Sequence, residues 1–352
     1  MGSYFSRRAV LELENTVQRN VDKLIDRLFS HAASSKPADL LMAYRAATND
    51  IITGYLFAQK FNALDYEGFK HPFLVAFDDI ASSIWLLKNL PLPSAFPVAR
   101  LPDWIVKVVN PAARPVLNQK YFVIQKIKEW EADTQMERRG QRGERAIFDS
   151  FLKPAKLAKY NEGTPLRSEE GNEYPWLIPR SQLMDECTSI QFAGTDTVGN
   201  ACLFGTFHLL NDRVVLGKLR KELDEAWVDR EDPMPFERLE KLPYLTVVSS
   251  AAYFSHMNPT IFSDPHKFVP ERWIGSDSRD LEKHLVAFSK GPRMCLGVNL
   301  AWCELYLIMG NVFRKLDMEI YDTTAKDLEF GDFFIPLFRG KHLQAIVKSF
   351  RE

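Results

Sequence analysis

The amino-acid sequence predicts a mainly α-helical fold with a small β part. Long stretches carry apolar residues three or four positions apart, which is the spacing of one face of an α-helix. Segments typical of strands occur near the carboxyl end, in EIYD and LQAIVKSF. Because 46% of the 352 residues are hydrophobic and 26% are charged, the chain can bury a sizeable core and is not disordered.

The amino-terminal half is predicted to consist of helices. The first spans residues 7–29 on an apolar stripe, and the second spans 37–59. Further helices are predicted at 67–88, 104–134 and 146–160. A proline-rich turn, PLPSAFPVARLP, and a charged stretch, MERRGQRGER, separate them and are expected to be loops.

The carboxyl-terminal half contains a long, mostly apolar helix. Residues 181–211 are too apolar for an exposed surface helix, so this helix is expected at the centre of the fold. A more charged helix follows at 213–227. The pattern becomes short and turn-rich after Pro243, and a second apolar helix is predicted at 295–313.

Charge and cysteine usage exclude several classes of protein. Forty-five Lys and Arg residues balance 46 Asp and Glu residues, so no overall field attracts nucleic acid. Four cysteines without a CxxC pair favour a reducing compartment over a secreted disulfide framework. A membrane-spanning helix needs ~20 consecutive apolar residues, which the sequence lacks. We therefore expect a single domain, 1–352, that is cytosolic or peripheral to a membrane.

A loop built around one thiol precedes the last long helix, in FSKGPRMCLG. Gly291 permits a positive φ, Arg293 offers a planar fork for a carboxylate, and Gly297 lets a flat group approach the helix start. Cys295 lies where backbone N–H groups and a helix N-terminus can stabilise a thiolate. The alternative for Cys295 is a buried free thiol without a ligand. Buried free thiols are also expected at the other three cysteines, Cys187, Cys202 and Cys303.

A second motif, FAGTDT, lies inside the central helix. Gly194 and Thr197 are three positions apart, so a gap and a hydroxyl point the same way. Glycine and threonine in a helix more often serve helix packing, and this motif alone is weak. Asp196 lies off the helix face that carries Gly194 and Thr197, and its side chain could point to solvent.

The thiol loop resembles the haem-binding signature FxxGxRxCxG of the cytochrome P-450 monooxygenases. The resemblance implies that Cys295 is the axial thiolate ligand of a haem b iron and that Arg293 pairs with a haem propionate. It also implies that Phe288 packs beside the thiolate and that Gly291 and Gly297 allow close approach.

The central helix and a third segment extend the resemblance. In that family the helix crosses above the haem, so Gly194 is expected to make room for dioxygen and Asp196 and Thr197 to deliver protons. The segment DPHKFVPERW places Arg272 at a fixed position of the family, and HMNPTIFSDPHKF resembles filamentous-fungal members. The implied fold is a cytochrome P-450 fold, although an incomplete one.

Two parts of the family pattern are missing. The chain starts inside a predicted helix, so we expect a truncated amino terminus. After LPYLT the sequence also lacks the helix that carries Glu-x-x-Arg, which predicts an internal deletion near 248–249. Arg272 would then be a charge without its partners, and a buried unpaired charge costs several kcal/mol.

The resemblance implies insertion of one oxygen atom into an apolar small molecule, with electrons from NADPH through cytochrome P-450 reductase. The substrate is expected to be a secondary metabolite such as a terpenoid or polyketide. Family members are usually anchored to the endoplasmic reticulum. Two alternatives stay open: an inactive remnant that binds haem poorly, and a haem-thiolate isomerase or dehydratase without a reductase, against which Thr197 argues.

Overall fold

The computed structural model describes residues 2–82, 180–248 and 257–351, with gaps at 35, 58–60, 80, 276–277 and 334, and scattered positions from 104 to 147. Its α-helices are α1 (Arg7–Ser34), α2 (Leu40–Phe57), α3 (Pro72–Val75), α4 (Arg180–Asn211), α5 (Arg213–Ala226), α6 (Phe236–Leu239), α7 (Pro243–Val248), α8 (Ser278–Glu282) and α9 (Val298–Lys315). Single turns of 3₁₀ helix occur at Gly2–Phe5, Ala63–Asp65, Glu67–Phe69 and Pro270–Trp273. The strands are β1 (Ala38–Asp39), β2 (Leu316–Tyr321), β3 (Phe330–Asp332), β4 (Pro336–Phe338) and β5 (Gln344–Phe350).

The core lies where α4 packs against α2 and α9. Helix α1 closes it by packing against α9, α2 and β5, and its stripe of Val10, Val17, Val21, Leu24 and Leu28 has no exposed surface. The position of α4 between two other helices confirms the prediction that this helix is central. An apolar helix in this place removes side chains from water on several sides at once.

Strands β1, β5 and β2 form one antiparallel sheet in that order, and β3 and β4 form a hairpin. The register pairs Ala38 with Ala345 and Leu316 with Phe350. The two strand segments predicted near the carboxyl end are therefore confirmed as β2 and β5. Strand β1 is two residues long, too short for a period-two pattern to reveal it.

The long helices fall close to their predicted bounds, and the shorter ones do not. The stretch 67–88 begins as a 3₁₀ turn and the four-residue helix α3, which His71 caps by accepting a hydrogen bond from the Phe73 amide at 3.2 Å. Helix α9 starts at Val298 rather than at residue 295, because the preceding residues belong to a hydrogen-bonded loop. The helices predicted at 104–134 and 146–160 lie almost entirely outside the described residues.

Among the described helices, none combines the length and the apolar character needed to cross a membrane.

Candidate active site

The thiol loop has a defined backbone geometry. The Cys295 amide donates a hydrogen bond to the Phe288 carbonyl at 2.8 Å, and the Met294 amide donates to the Gly291 carbonyl at 3.1 Å. Gly291 adopts φ +85°, a conformation that a side chain at this position would strain. The glycine and these two bonds together fold the loop back on itself and place Cys295 just before α9.

Cys295 is the exposed member of the four cysteines, whereas the other three are buried. Burial raises the pKa of Cys187 to about 12, and it raises the pKa values of Cys202 and Cys303 as well. These three therefore remain neutral thiols in the core, as predicted. Cys295 alone presents a sulfur that a metal centre could reach.

Cys295 has open space beside the two glycines of its loop and packed aromatic rings on its other side. No atom lies within 4 Å of the position that a β-carbon would take on Gly291 or Gly297. Arg293 is exposed and makes no ion pair within the described part of the chain. The Phe288 ring packs on the Trp302 ring of α9, with centroids 5.4 Å apart.

One face of α4 is open to solvent. Ala193 and Thr197 are exposed, and Ala201 and Phe204, the next residues along the same face, are half-buried. The Thr197 Oγ1 donates to the Ala193 carbonyl at 2.8 Å, so this hydroxyl is already held within the helix.

Gly194 lies at the edge of that face and not on it. A β-carbon on Gly194 would meet Ile52 Cγ1 of α2 at 2.8 Å, a distance that atoms do not tolerate. Its small size is thus required for the close approach of α2 and α4. The predicted role in making room for dioxygen stays a prediction, whereas the packing alternative has a direct structural basis.

Asp196 is buried and does not face solvent, which corrects the alternative considered from the sequence. Its Oδ1 accepts a hydrogen bond from Arg45 Nε at 2.8 Å, and its Oδ2 accepts one from Asn200 Nδ2 at 2.8 Å. Burial raises the pKa of Asp196, and the Arg45 charge opposes that rise. Asp196 is therefore adjacent in sequence to Thr197 but held on the other side of α4.

Arg45 is the residue of this site that sequence reasoning missed. It is 1% exposed on α2, with its guanidinium 5.0 Å from the centroid of the Phe77 ring, and it also donates to Asp78 at 3.1 Å. A single arginine in the apolar run LLMAYRAATND was the available signal, because a buried arginine needs a buried carboxylate. The spacing of residues along the sequence does not predict which carboxylate pairs with Arg45.

Arg272 is half-buried but not unpaired, so the expected unpaired buried charge is wrong. Its guanidinium donates to the backbone carbonyls of Ser263 at 2.8 Å and of Asp264, Lys267 and Val269 at 3.3 Å each. Backbone carbonyls carry partial negative charge and satisfy the donors of the fork. The loop before the thiol loop is thereby braced by its own arginine.

A cavity of about 340 Å³ lies along the carboxyl-terminal part of α4. The residues that line it include Phe204, Phe207, His208, Leu328, Phe330 and Arg339. Phe204 belongs to the open face of α4, so the cavity continues that face. Because Glu329 also lines it, the cavity joins apolar side chains with charged ones and suits a small molecule that carries both apolar and polar groups.

The residues present fit a haem group. Within the described ranges, no cluster of three or more His, Cys, Asp or Glu side chains could hold a metal ion, so a protein-only metal site is not found there. A single exposed thiol, a free arginine and glycine-lined space instead suit an iron that brings its own macrocycle and needs one axial ligand. Cys295 and Arg293 would hold such a group.

The chain is similar to known proteins over most of its length. The sequence profile of the family described as Cytochrome P-450 matches residues 3–250 and 246–337. The chain is 28% identical to the cytochrome P-450 monooxygenase ankB of Aspergillus thermomutatus, with 97% of this chain and 68% of that protein covered. It is 27% identical to the cytochrome P-450 monooxygenase TRI4 of Fusarium sporotrichioides (94% and 67% covered) and 28% identical to the conidiogenone synthase PchP450 of Penicillium rubens (100% and 74% covered).

Solved structures show the same fold. The crystal structure of the cytochrome P-450DA heme domain superposes with a TM-score of 0.72 at 15% identity, covering 99% of this chain and 75% of that one. The crystal structure of the cytochrome P-450 CYP102L1 gives 0.73 at 18% identity, with 99% and 80% covered. Fold and thiol loop together define a haem-thiolate enzyme. The chain belongs to the cytochrome P-450 family.

Proposed function

We propose that this chain is a cytochrome P-450 monooxygenase acting on an apolar small molecule, with haem b held by Cys295. The observation that carries the proposal is the exposed thiol of Cys295 in a loop closed by the Cys295–Phe288 hydrogen bond. Haem bound through this thiolate supplies the activation of dioxygen, since thiolate donation favours O–O cleavage. The electrons would come from NADPH through cytochrome P-450 reductase.

The chain's own residues then have separate tasks. Arg293 pairs with a haem propionate, and Phe288 shields the sulfur from water on the side of Trp302. Thr197 holds a proton at Oγ1 on the open face of α4. To replenish that proton, Asp196 would have to leave Arg45, take up a proton from solvent and turn towards Thr197, because it is buried on the other side of α4 as a carboxylate paired with Arg45.

The substrate class follows from the cavity and from the relatives. Three phenylalanine side chains of the cavity, Phe204, Phe207 and Phe330, supply apolar contact area for a small molecule. The similar proteins include a protein named conidiogenone synthase and several fungal monooxygenases. We therefore propose a fungal secondary metabolite, a terpenoid or a polyketide, as the substrate.

An inactive remnant is the second candidate, and a specific observation favours it. The profile matches in two segments that meet at residues 246–250, where the Glu-x-x-Arg helix is missing from the sequence. The alignment with ankB is 381 positions long although the chain has 352 residues, so that relative carries residues that this chain lacks. A P-450 without these residues could bind haem weakly.

The spectrum of the reduced carbon monoxide complex separates the two candidates. If haem is bound as proposed, the red-shifted Soret band of thiolate ligation appears and Cys295→Ser removes it, because a hydroxyl is a far poorer ligand for this iron. Cys303→Ala is the matched control, since Cys303 is buried in α9 and should leave the band unchanged. A band that persists in C295S contradicts the assignment, and a colourless wild-type protein favours the remnant.

A further inference from the structure

His208 carries the polar side chain that α4 contributes to the cavity. The side chain is half-buried, and its ring stacks on the Phe268 ring with centroids 4.8 Å apart and planes 9° from parallel. The Phe207 ring packs against the same imidazole at 71°. None of the described residues forms a hydrogen bond or an ion pair with the imidazole. The two aromatic rings therefore fix the plane of the imidazole but leave its nitrogens without a partner in the described structure.

The His208 imidazole is neutral at pH 7. Its burial lowers its pKa below the ordinary value of 6.5. A neutral imidazole has one N–H donor and one nitrogen acceptor. Because polar groups that are shielded from water are normally hydrogen-bonded, these nitrogens are available to a bound molecule.

The other polar residues of the cavity do not select a charged molecule. Glu329 and Arg339 both line the cavity and both are exposed. They are adjacent across the base of the β3–β4 hairpin, where the Arg339 amide donates to the Glu329 carbonyl at 2.8 Å. Their opposite charges add no net charge to the cavity, so neither an anion nor a cation is attracted overall.

The cavity lies along the same face of α4 as Thr197. Phe204 and His208 follow Thr197 by seven and eleven residues, which places both within about 20° of it around the helix. Eleven residues correspond to ~16 Å along the helix axis. His208 is thus too far from Thr197 to contact the reacting atoms, but a molecule bound along this face can contact it.

We propose that His208 is a specificity-determining residue that hydrogen-bonds a hydroxyl or carbonyl oxygen of the substrate. This inference rests on the proposed function and narrows its substrate class to uncharged, largely apolar molecules that already carry an oxygen. The three phenylalanine rings of the cavity contact the apolar skeleton, and the imidazole binds the oxygen. A hydrocarbon in the same place would exclude water from the imidazole without replacing its hydrogen bond, which disfavours the hydrocarbon.

Three bicyclic probes that differ in one substituent test this proposal: naphthalene, 2-naphthol and 2-naphthoate. Equilibrium dialysis at pH 7 measures the binding of each probe to the 352-residue chain. We expect 2-naphthol to bind about three- to tenfold more tightly than naphthalene, which is the effect of one net hydrogen bond. We expect 2-naphthoate to bind less tightly than 2-naphthol, because the cavity has no net charge to balance the carboxylate.

Variants of His208 assign the preference to its imidazole. His208→Phe keeps an aromatic ring but loses both nitrogens, so the ratio of the two affinities for 2-naphthol and naphthalene should fall to about one. His208→Gln keeps a donor and an acceptor and should retain part of the preference. A merely structural role would change the binding of both probes alike and leave their ratio unchanged.

His266→Phe is the matched control, since His266 is exposed and does not line the cavity. Its ratio should equal that of wild type. Ala325→Trp places a large side chain at the cavity wall and should weaken the binding of all three probes.

Three results would overturn the proposal: equal binding of 2-naphthol and naphthalene to wild type, a preference that survives in H208F, or unchanged binding in A325W. None of these measurements requires haem or turnover. A negative result therefore removes the role of His208 and leaves the thiolate spectrum of the proposed function as a separate question.

Discussion

At the scale of single residues, the site separates groups that the sequence places side by side. Asp196 and Thr197 are neighbours in the chain, yet Thr197 is exposed on one face of α4 and Asp196 is buried against Arg45. Successive residues of a helix point about 100° apart, so adjacent positions face different surroundings. Their proposed cooperation in proton delivery must therefore include movement of Asp196.

Replacement of Thr197 tests its role in proton delivery. In a chain with the missing segments restored, Thr197→Ala should still bind haem and substrate but divert NADPH electrons to peroxide, with product per NADPH reduced by about tenfold, because one positioned hydroxyl acts during the reaction and not in binding. Product and peroxide are measured together with NADPH consumption. Thr197→Ser keeps the hydroxyl and should retain most of the yield, and an unchanged yield in T197A would refute the role.

At the scale of elements, the contact between α2 and α4 is the closest helix packing at the site. It depends on Gly194, whose missing side chain leaves room for Ile52. Nearby, Thr48 Oγ1 donates to the Thr195 carbonyl at 2.7 Å and Gln191 donates to Asn49 at 3.0 Å. Buried polar bonds of this kind fix how two helices are placed against each other.

Two glycine replacements should have opposite effects on stability. Gly194→Ala forces a β-carbon against Ile52 and should destabilise the fold by about 1–2 kcal/mol net, because overpacking outweighs the helix propensity of alanine. Gly217→Ala in α5 is the matched control, since nothing lies within 4 Å of its β-carbon position, and it should stabilise by ~0.5–1 kcal/mol. Urea unfolding measures both, and equal stabilisation by both would contradict the packing role.

The cap of α3 should make stability depend on pH. Burial lowers the pKa of His71 to about 4 from the ordinary 6.5. The unfolded chain binds a proton on this imidazole below about pH 6.5 while the folded chain does not until about pH 4, so stability falls as the pH drops through this window. His71→Asn keeps a capping acceptor without titrating, and its urea midpoint should fall less between pH 7 and pH 5. Equal falls in both proteins would exclude this contribution.

At the scale of the whole molecule, the described structure keeps the P-450 core despite the missing Glu-x-x-Arg helix. Arg272 finds four backbone carbonyls within its own loop, which replaces the expected energetic penalty with hydrogen bonds. Packing of α1, α2, α4 and α9 does not involve the missing residues. In the family, strands that line the pocket follow the Glu-x-x-Arg helix. The missing residues would therefore be needed to cover Cys295 and the open face of α4.

The second candidate, an inactive remnant, predicts that the 352-residue chain binds haem poorly and shows no NADPH-dependent turnover with a competent reductase. The physical reason is the missing pocket surface and not the surroundings of Arg272. A domain whose free energy of unfolding is ~5–15 kcal/mol can lose little of the stabilisation that contacts with a bound ligand provide. Haem content per protein is measured for this chain and for a chain in which the internal segment carried by ankB is inserted after Val248. The restored chain should load more haem, and full loading and turnover by the shorter chain would contradict this expectation.

The sequence by itself determined the fold class, the long helices and the thiol loop. Apolar periodicity is a local property of the chain, and FSKGPRMCLG predicts Cys295 as the haem ligand through its resemblance to the signature of the family. Only the tertiary structure decided that Asp196 is paired with Arg45, that Gly194 faces Ile52 and that Arg272 is satisfied by carbonyls. These contacts join residues of different elements, or depend on the path of a loop, and no spacing along the chain encodes which groups meet when the helices pack.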